Sequence, residues 1–319
     1  MLIRTENNIS PSARKALLAA LGRKVPGARF AAARGGLKIL GLSPERAADA
    51  APLIANLPGT AGLVFTDEEL CPLACSKKKR SAPGPLDFSG PVFIAGPCAV
   101  EDEASYLSSA RGLKAAGAHA LRAALFKPRS SPYAFQGLGW AGLKIISKAA
   151  RLTGLPLVTE ATDTRQVTRL ARVCAVLQVG ARNMRNYELL KEIARSGRAA
   201  LLKRAAGATL REWLLAAEYL LKYGAKTVIL CERGGEAAGP GLDFRMIREA
   251  RRLTGLPVIA DPSHAAGTRE RAASLALKAL RSGADGLLIE AAANPYAARV
   301  DGRQTVTLET FRGIARKTR

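Results

Sequence analysis

The stretch PVFIAGPCAVEDEASYLSSARGLKAAGAHALRAAL, residues 91–125, holds an apolar run of strand length, a segment with helical spacing and a second apolar run. That order is one β-α-β unit, and the pattern continues down the chain. The runs VFIAGP (92–97), ALRAAL (120–125), LPLVTE (155–160), VLQVGA (176–181), AALLKR (199–204), TVILCER (227–233), LPVIADPSH (256–264) and GLLIEA (286–291) make eight strand candidates. Helical segments such as NYELLKEIARSG, TLREWLLAAEYLLKYG and DFRMIREARRLTG lie between them. Eight such units predict an α/β fold, a (β/α)8 TIM barrel over residues 91–319, with its active site at the C-terminal ends of the strands. A doubly wound parallel sheet is the competing architecture, but it seldom alternates eight times so evenly.

In a barrel, strand interiors are apolar and the residues just past them converge on the site. Here the strand ends read Pro97–Cys98, Lys127–Pro128–Arg129, Glu160, Arg182–Asn183, Lys203–Arg204, Glu232–Arg233, Asp261–Pro262–Ser263–His264 and Glu290. Every strand delivers a polar or ionisable group, and eight in phase are hard to explain as solvated loops. Two chemical sets emerge. Arg122, Lys127, Arg129, Arg182, Lys203 and Arg233 supply enough donors to hold two phosphate groups. Cys98, His264, Glu290 and, in the loop ARVDGRQ (298–304), Asp301 form a mixed thiolate, imidazole and carboxylate set suited to a divalent transition metal.

The loop FKPRSSPYAFQGLG, residues 126–139, concentrates this chemistry. Lys127 and Arg129 are held apart by the rigid Pro128, and Ser130 and Ser131 add hydroxyl donors. Such a segment is either a fixed anion cradle or a solvated basic loop.

Upstream, LIRTENN, SPSARKALLAALGRK, ARFAAAR, GLKILGL, SPERAADAAPLIANL and GLVFTDE follow a β-α-β-β-α-β order, with Ser10 and Ser43 as N-caps and Pro11 and Pro44 opening the helices. This predicts a small α+β ferredoxin-like domain over residues 1–74, with a regulatory or assembly role. CSKKKRSAPGPLDFSG, 75–90, is the expected linker. The five cysteines are an odd number spread through a large chain, which suits a reducing compartment better than a disulfide framework. No apolar run is long enough to span a membrane, and the N-terminal residues lack the apolar segment of a signal peptide, so a cytoplasmic protein is expected. The net charge of +23 favours polyanionic or phosphorylated partners. A phosphate site alone does not account for so large a charge.

The segments IAGPCAVE, FKPRSSPYAFQGLG, VTEATD, QVGARNMRNYELLKE, LLKRAAGATLREWLLAAEYLL, VILCERGG, LPVIADPSHAAGTRE and ADGLLIEAAANP resemble, in order and spacing, the signatures of 3-deoxy-D-arabino-heptulosonate-7-phosphate (DAHP) synthase of the smaller bacterial type. The resemblance covers residues 91–314, and residues 1–70 are similar in size and pattern to the ferredoxin-like regulatory domain of some members. It implies a metal-dependent, aldol-type condensation of phosphoenolpyruvate with erythrose 4-phosphate, releasing phosphate, at the entry to aromatic amino acid biosynthesis. Cys98, His264, Glu290 and Asp301 would hold one divalent transition metal (Mn, Fe, Co or Zn) that polarises the aldehyde oxygen. Phosphoenolpyruvate would meet Arg122, Lys127, Arg182, Lys203 and Arg233. Lys127, Pro128, Arg129 and Ser130 would bridge the two substrates, with Lys127 near the reacting carbons and Arg129 and Ser130 on the erythrose phosphate. Glu160 would orient groups near the attacking water. The resemblance also implies an aromatic amino acid effector at the N-terminal domain and a homo-oligomer, with a tetramer expected.

The chain departs from the family at Ala123, Ala124, Ala205, Ala265 and Ala266, where glycine is usual, and at Ala292, where a histidine is usual beside the ligand glutamate. The added methyl groups are expected to crowd the pocket. Two other functions compete. A 3-deoxy-octulosonate 8-phosphate synthase uses the same barrel with arabinose 5-phosphate, but carries an Asn-Arg-Ser pattern in place of K-P-R-S-S-P-Y. A catalytically weakened barrel with a regulatory or RNA-associated role is favoured by the charge and Ala292, and opposed by the intact ligand set.

Overall fold

A computed structural model describes residues 1–7, 9–77, 84–235 and 241–317. The chain divides into two compact units, Met1–Cys75 and Ser76–Arg319. Part of the expected linker at 75–90, including much of the basic run at 76–80, lies outside the described residues.

In the first unit, β1 (Leu2–Thr5), α1 (Pro11–Lys24), β2 (Arg29–Ala33), β3 (Gly36–Leu40), α2 (Pro44–Ala55) and β4 (Thr60–Val64) follow one another, and the sheet order is β2-β3-β1-β4 with antiparallel neighbours. That is the ferredoxin-like arrangement. The Ser10 and Ser43 side chains accept from the Ala13 and Arg46 amides, so each helix begins at its serine and proline. Ile3, Leu17, Leu21, Leu37, Ile39 and Ile54 form the buried core of this unit. The expectation of a strand over GLVFTDE, 62–68, needs correcting. The strand stops at Val64, and Thr66 opens a short helix, α3 (Asp67–Leu70), through a reciprocal cap with Glu69. Three successive carboxylates are favoured in the first turn of a helix and depleted in strands.

In the second unit the strands are β5 (Val92–Gly96), β6 (Ala120–Arg122), β7 (Leu157–Ala161), β8 (Val176–Val179), β9 (Ala199–Lys203), β10 (Val228–Glu232), β11 (Val258–Ala260) and β12 (Gly286–Ala292). Each pairs in parallel with the next, and β12 pairs back with β5, so the sheet closes into an eight-stranded barrel. A two-residue β13 (Val306–Thr307), absent from the sequence reading, lies parallel to β12. The helices are α4 (Glu103–Ala116), α5 (Leu143–Thr153), α6 (Thr164–Ala171), α7 (Tyr187–Arg195), α8 (Leu210–Lys222), α9 (Phe244–Leu253), α10 (Pro262–Ala266), α11 (Arg269–Arg281) and α12 (Leu308–Arg316). Asp102 caps α4, and Thr209 with Glu212 forms a reciprocal cap on α8, so several turns at the strand ends terminate in fixed geometry.

Val92, Ile94, Val158, Val176, Leu201, Ile229, Ile259 and Leu288 belong to one buried cluster. Each such side chain contributes about 1.5–3 kcal/mol when removed from water. The intervening residues are turned to the helices: Phe93 meets Phe311 edge-on at 6.2 Å. Among the described residues, no helix is long and apolar enough to cross a membrane.

Candidate active site

Strand alternation carries the apolar core into a polar layer. Two residues beyond the core positions Ala120, Val158, Val176, Leu201, Cys231, Ile259 and Leu288 stand Arg122, Glu160, Gln178, Lys203, Arg233, Asp261 and Glu290. A cavity of about 510 Å³ opens at this layer. Lys127, Pro128, Arg129 and Ser130 reach it from one loop, and Glu160, Arg182, Lys203 and Arg233 from four strand ends. His264 and Asp301 complete the wall on another side. Cys98, Arg122 and Glu290 do not line the cavity; they are buried, with the Cys98 thiol and the Glu290 carboxylate against His264 and Asp301.

The 126–139 loop is held by its own polar groups. Lys127 N donates to Gln136 O at 2.9 Å, and the Gln136 side chain donates to the carbonyls of Ser131 and Ala134 at 3.2 and 3.1 Å. Arg182 Nη1 donates to Pro128 O at 2.6 Å, tying the end of β8 to this loop. Arg129 and Ser130 are exposed and face the same cavity as the buried Lys127.

The ligand atoms of Cys98, His264, Glu290 and Asp301 all lie within 4.8 Å of one another. The Cys98 thiol donates to Asp301 Oδ2 at 2.9 Å, and His264 Nε2 lies 3.4 Å from Glu290 Oε1. Burial raises the Cys98 thiol well above its usual range, with Glu290 adding to the effect and Arg122 and Lys127 opposing it. Burial would raise Glu290 too, but His264 and Arg122 hold its carboxyl down at about 2. Arg122 Nη1 lies 3.1 Å from Glu290 Oε1, yet Arg122 Nε and Nη1 and Glu290 Oε1 are buried without a hydrogen bond. Glu290 Oε1, a buried acceptor left unsatisfied beside sulfur, nitrogen and oxygen donors, fits a bound transition metal, whereas the spare Arg122 N–H groups fit an anion. Asp301 has φ 55°, in the left-handed region that aspartate tolerates better than most residues. Its carbonyl accepts from Thr305 Oγ1 at 3.0 Å, which helps to hold the turn.

Asp261, absent from the site assigned on sequence, is the hub of the layer. Its Oδ2 accepts from Lys203 Nζ at 2.5 Å and bonds His264 Nδ1 at 2.7 Å. Nδ1 is thereby engaged, leaving Nε2 turned to Glu290 in the candidate ligand set. Burial alone would raise the Asp261 carboxyl, but His264 and Lys203 hold it well below the usual range. The signal was present as Asp261–Pro262–Ser263–His264, where an i, i+3 pair spans the start of α10. Two more residues escaped the sequence reading. Gln304 donates to Glu290 Oε2 at 3.0 Å, and Gln178 donates to Glu160 Oε2 at 2.7 Å.

Glu160 also depends on a missing side chain. A Cβ placed on Gly180 would stand 2.1 Å from Glu160 Oε1. Gly180→Ala is therefore expected to swing that carboxylate away from Gln178 while leaving the barrel folded. A displacement near 1 Å costs on the order of a hundredfold in rate. Steady-state activity alongside a thermal melt checks this; unchanged turnover would remove Glu160 from the reaction.

The expected crowding by alanines is not what the cavity shows: Ala123, Ala124, Ala205, Ala265, Ala266 and Ala292 are not among its lining residues. Ala123, Ala124, Ala205, Ala266 and Ala292 are buried. Ala292 sits within β12, paired with Thr307.

The pattern of the DAHP synthetase I family matches residues 89–319. A phospho-2-dehydro-3-deoxyheptonate aldolase of Thermotoga maritima is 36% identical over 230 residues, 71% of this chain and 68% of that protein. A 2-dehydro-3-deoxyphosphooctonate aldolase of Syntrophotalea carbinolica is 33% identical over 240 residues, 68% of this chain and 86% of that one. Among solved structures, a DAHP synthase of Thermotoga maritima superposes with a TM-score of 0.79 at 26% identity, covering 99% of this chain and 95% of the other.

Proposed function

Because the chain belongs to the DAHP synthetase I family, we propose that its barrel joins phosphoenolpyruvate to erythrose 4-phosphate, giving DAHP and phosphate at the first step of the shikimate pathway. It is an enzyme, a transferase. The observation that carries the substrates is a single cavity walled by Lys127, Arg129, Arg182, Lys203 and Arg233, with a metal-competent cluster at its edge. Phosphoenolpyruvate brings a phosphate and a carboxylate, and Arg182, Lys203 and Arg233 offer charge-assisted donors from the cavity wall. Arg122, buried outside that lining, would reach the substrate only through its unsatisfied Nε and Nη1. Arg129 and Ser130 hold the erythrose phosphate, and Lys127 stands between the two substrates. Glu160, fixed by Gln178, orients the water consumed when phosphate leaves. Cys98, His264, Glu290 and Asp301 would hold a divalent transition metal, which when bound would supply Lewis-acid chemistry toward the aldehyde oxygen. The chain's own residues do the binding and orientation, an effect that supplies about 7–11 kcal/mol in well-aligned reactions.

The similarity to an octulosonate aldolase keeps arabinose 5-phosphate as the second reading. Phosphate release from phosphoenolpyruvate, measured with either sugar phosphate before and after chelation, separates the two. Activity with erythrose 4-phosphate that falls on chelation and returns with metal is the expected result. Release with arabinose 5-phosphate alone would overturn the substrate assignment, and release with neither sugar would leave the regulatory or RNA-associated reading.

Arg129→Ala is expected to weaken erythrose 4-phosphate by about tenfold to a hundredfold, the cost of a charge-assisted hydrogen bond, with little change for phosphoenolpyruvate. Equal losses for both would reassign Arg129. The unit Met1–Cys75 is proposed to be an effector module for an aromatic amino acid, on the ground that it is compact in itself and has a ferredoxin-like sheet. Removing residues 1–75 is then expected to leave an active barrel indifferent to tyrosine and phenylalanine. An intact protein that ignores both would make the unit an assembly element, and sedimentation of the two forms would test the proposed tetramer.

A further inference from the structure

Lys203 and Arg233 face the cavity, whereas their neighbours in sequence, Arg204 and Glu232, do not line it. Alternation along the strands produces this division. The parallel register of β9 and β10 sets Leu202 beside Leu230 and Lys203 beside Cys231, which brings Arg204 and Glu232 side by side one step further on. They meet as a two-pronged ion pair, with Arg204 Nε 2.5 Å from Glu232 Oε2 and Nη2 2.9 Å from Oε1. Both are almost wholly buried, at 3% and 0% exposure.

The remaining hydrogen-bonding capacity of the pair goes to backbone. Arg204 Nη1 donates to Ala208 O at 2.8 Å, and Glu232 Oε1 accepts from Gly234 N at 2.8 Å and Asp243 N at 3.3 Å. The two loops touch directly as well. A Cβ on Gly235 would lie 3.1 Å from both Ala206 Cα and Gly207 N. Arg233, by contrast, has one long polar contact among the described residues, 3.5 Å from Nη2 to His264 O. Its position therefore follows from the backbone between Glu232 and Gly234, which the Glu232 carboxylate grips.

A buried ion pair is a weak source of stability, since apolar residues of similar volume often do as well or better. What it supplies is direction: a planar fork matched to a carboxylate fixes two strands and their loops in one geometry. We propose that Arg204 and Glu232 are positioning residues that set the spacing of Lys203 and Arg233, and so determine affinity for phosphoenolpyruvate. This rests on the reading of the cavity as the phosphoenolpyruvate site.

The test is calorimetric titration of phosphoenolpyruvate into metal-free wild-type, Glu232→Gln and Arg204→Lys proteins, followed by steady-state kinetics and thermal melts. Glu232→Gln keeps the shape and removes the charge; it is expected to weaken phosphoenolpyruvate and raise its KM by about tenfold to a hundredfold. kcat at saturation and the KM of the sugar phosphate should change by less than about threefold, because neither depends on this spacing. Arg204→Lys, which keeps charge without the fork, should fall between that variant and wild type. Should Glu232→Gln fail to fold, the same titration of Arg204→Lys decides. A lowered melting temperature with unchanged phosphoenolpyruvate affinity would reduce the pair to a structural role and overturn the proposal. Wild-type protein that does not bind phosphoenolpyruvate would instead bring down the functional reading, and this role with it.

Discussion

Cys98→Ala is expected to lose stoichiometric metal and to fall in activity by more than about a hundredfold, the upper end of what removing even an outer partner of a metal ligand costs. The thiol is the soft member of the cluster, and its loss leaves one imidazole and two carboxylates, a set that discriminates poorly in favour of transition metals. Folding should survive. The sulfur packs against Ala99, Val300 and Phe135 at the rim of the barrel, and removing one atom there costs about 1 kcal/mol. Its contact with Arg122, 3.8 Å from Nη2 to Sγ, is long. Elemental analysis, a thermal melt and phosphate release on the same preparation check all three statements. Full metal content with normal turnover would place the metal elsewhere.

Asp261→Ala should act on stability as much as on chemistry. It strips the counter-charge from Lys203, which is 4% exposed, and removes the partner of His264 Nδ1. Breaking a buried pair by deleting one member costs about 3–5 kcal/mol because the other charge stays buried. At about 2–4 °C per kcal/mol, the melting temperature should drop by roughly 6–20 °C. Metal affinity should weaken about 10–100-fold as the imidazole loses its orientation. Asp261→Asn keeps the shape and one hydrogen bond, so it should fall between alanine and wild type. Melts of the metal-free proteins separate the stability effect from metal binding. A drop below about 2 °C would mean that Lys203 is not held by this carboxylate.

Neither effect is visible from one stretch of sequence. The strands and helices of the barrel were legible because each depends on a pattern a few residues long, an apolar run or a helical period, set by side-chain direction along the chain. The N-caps at Ser10 and Ser43 were legible for the same reason. The strand expected through GLVFTDE was misread where a second local rule, acidic residues entering a helix, outweighed an apolar run. The candidate site residues could be proposed because barrel strand ends converge whatever their separation in sequence, and because their motifs resemble a known family.

Local pattern sets what each strand presents, and so the sequence alone determined the polar layer above an apolar core. Which members of that layer touch depends on register and closure. Cys98 and Asp301 are 203 residues apart and share a hydrogen bond, while Lys203 and Asp261 are 58 apart and share another. The pairing of β12 with β5, and of β10 with both β9 and β11, decides these neighbours. A shift of one residue between β9 and β10 would turn Arg204 toward the cavity and Lys203 away from it, since side chains alternate with a period of two. Only the tertiary structure therefore separates the residues that open into the cavity, such as Lys203 and Arg233, from those behind them, such as Arg204 and Glu232. A buried charge must find its counter-charge among whatever the closed barrel brings within reach.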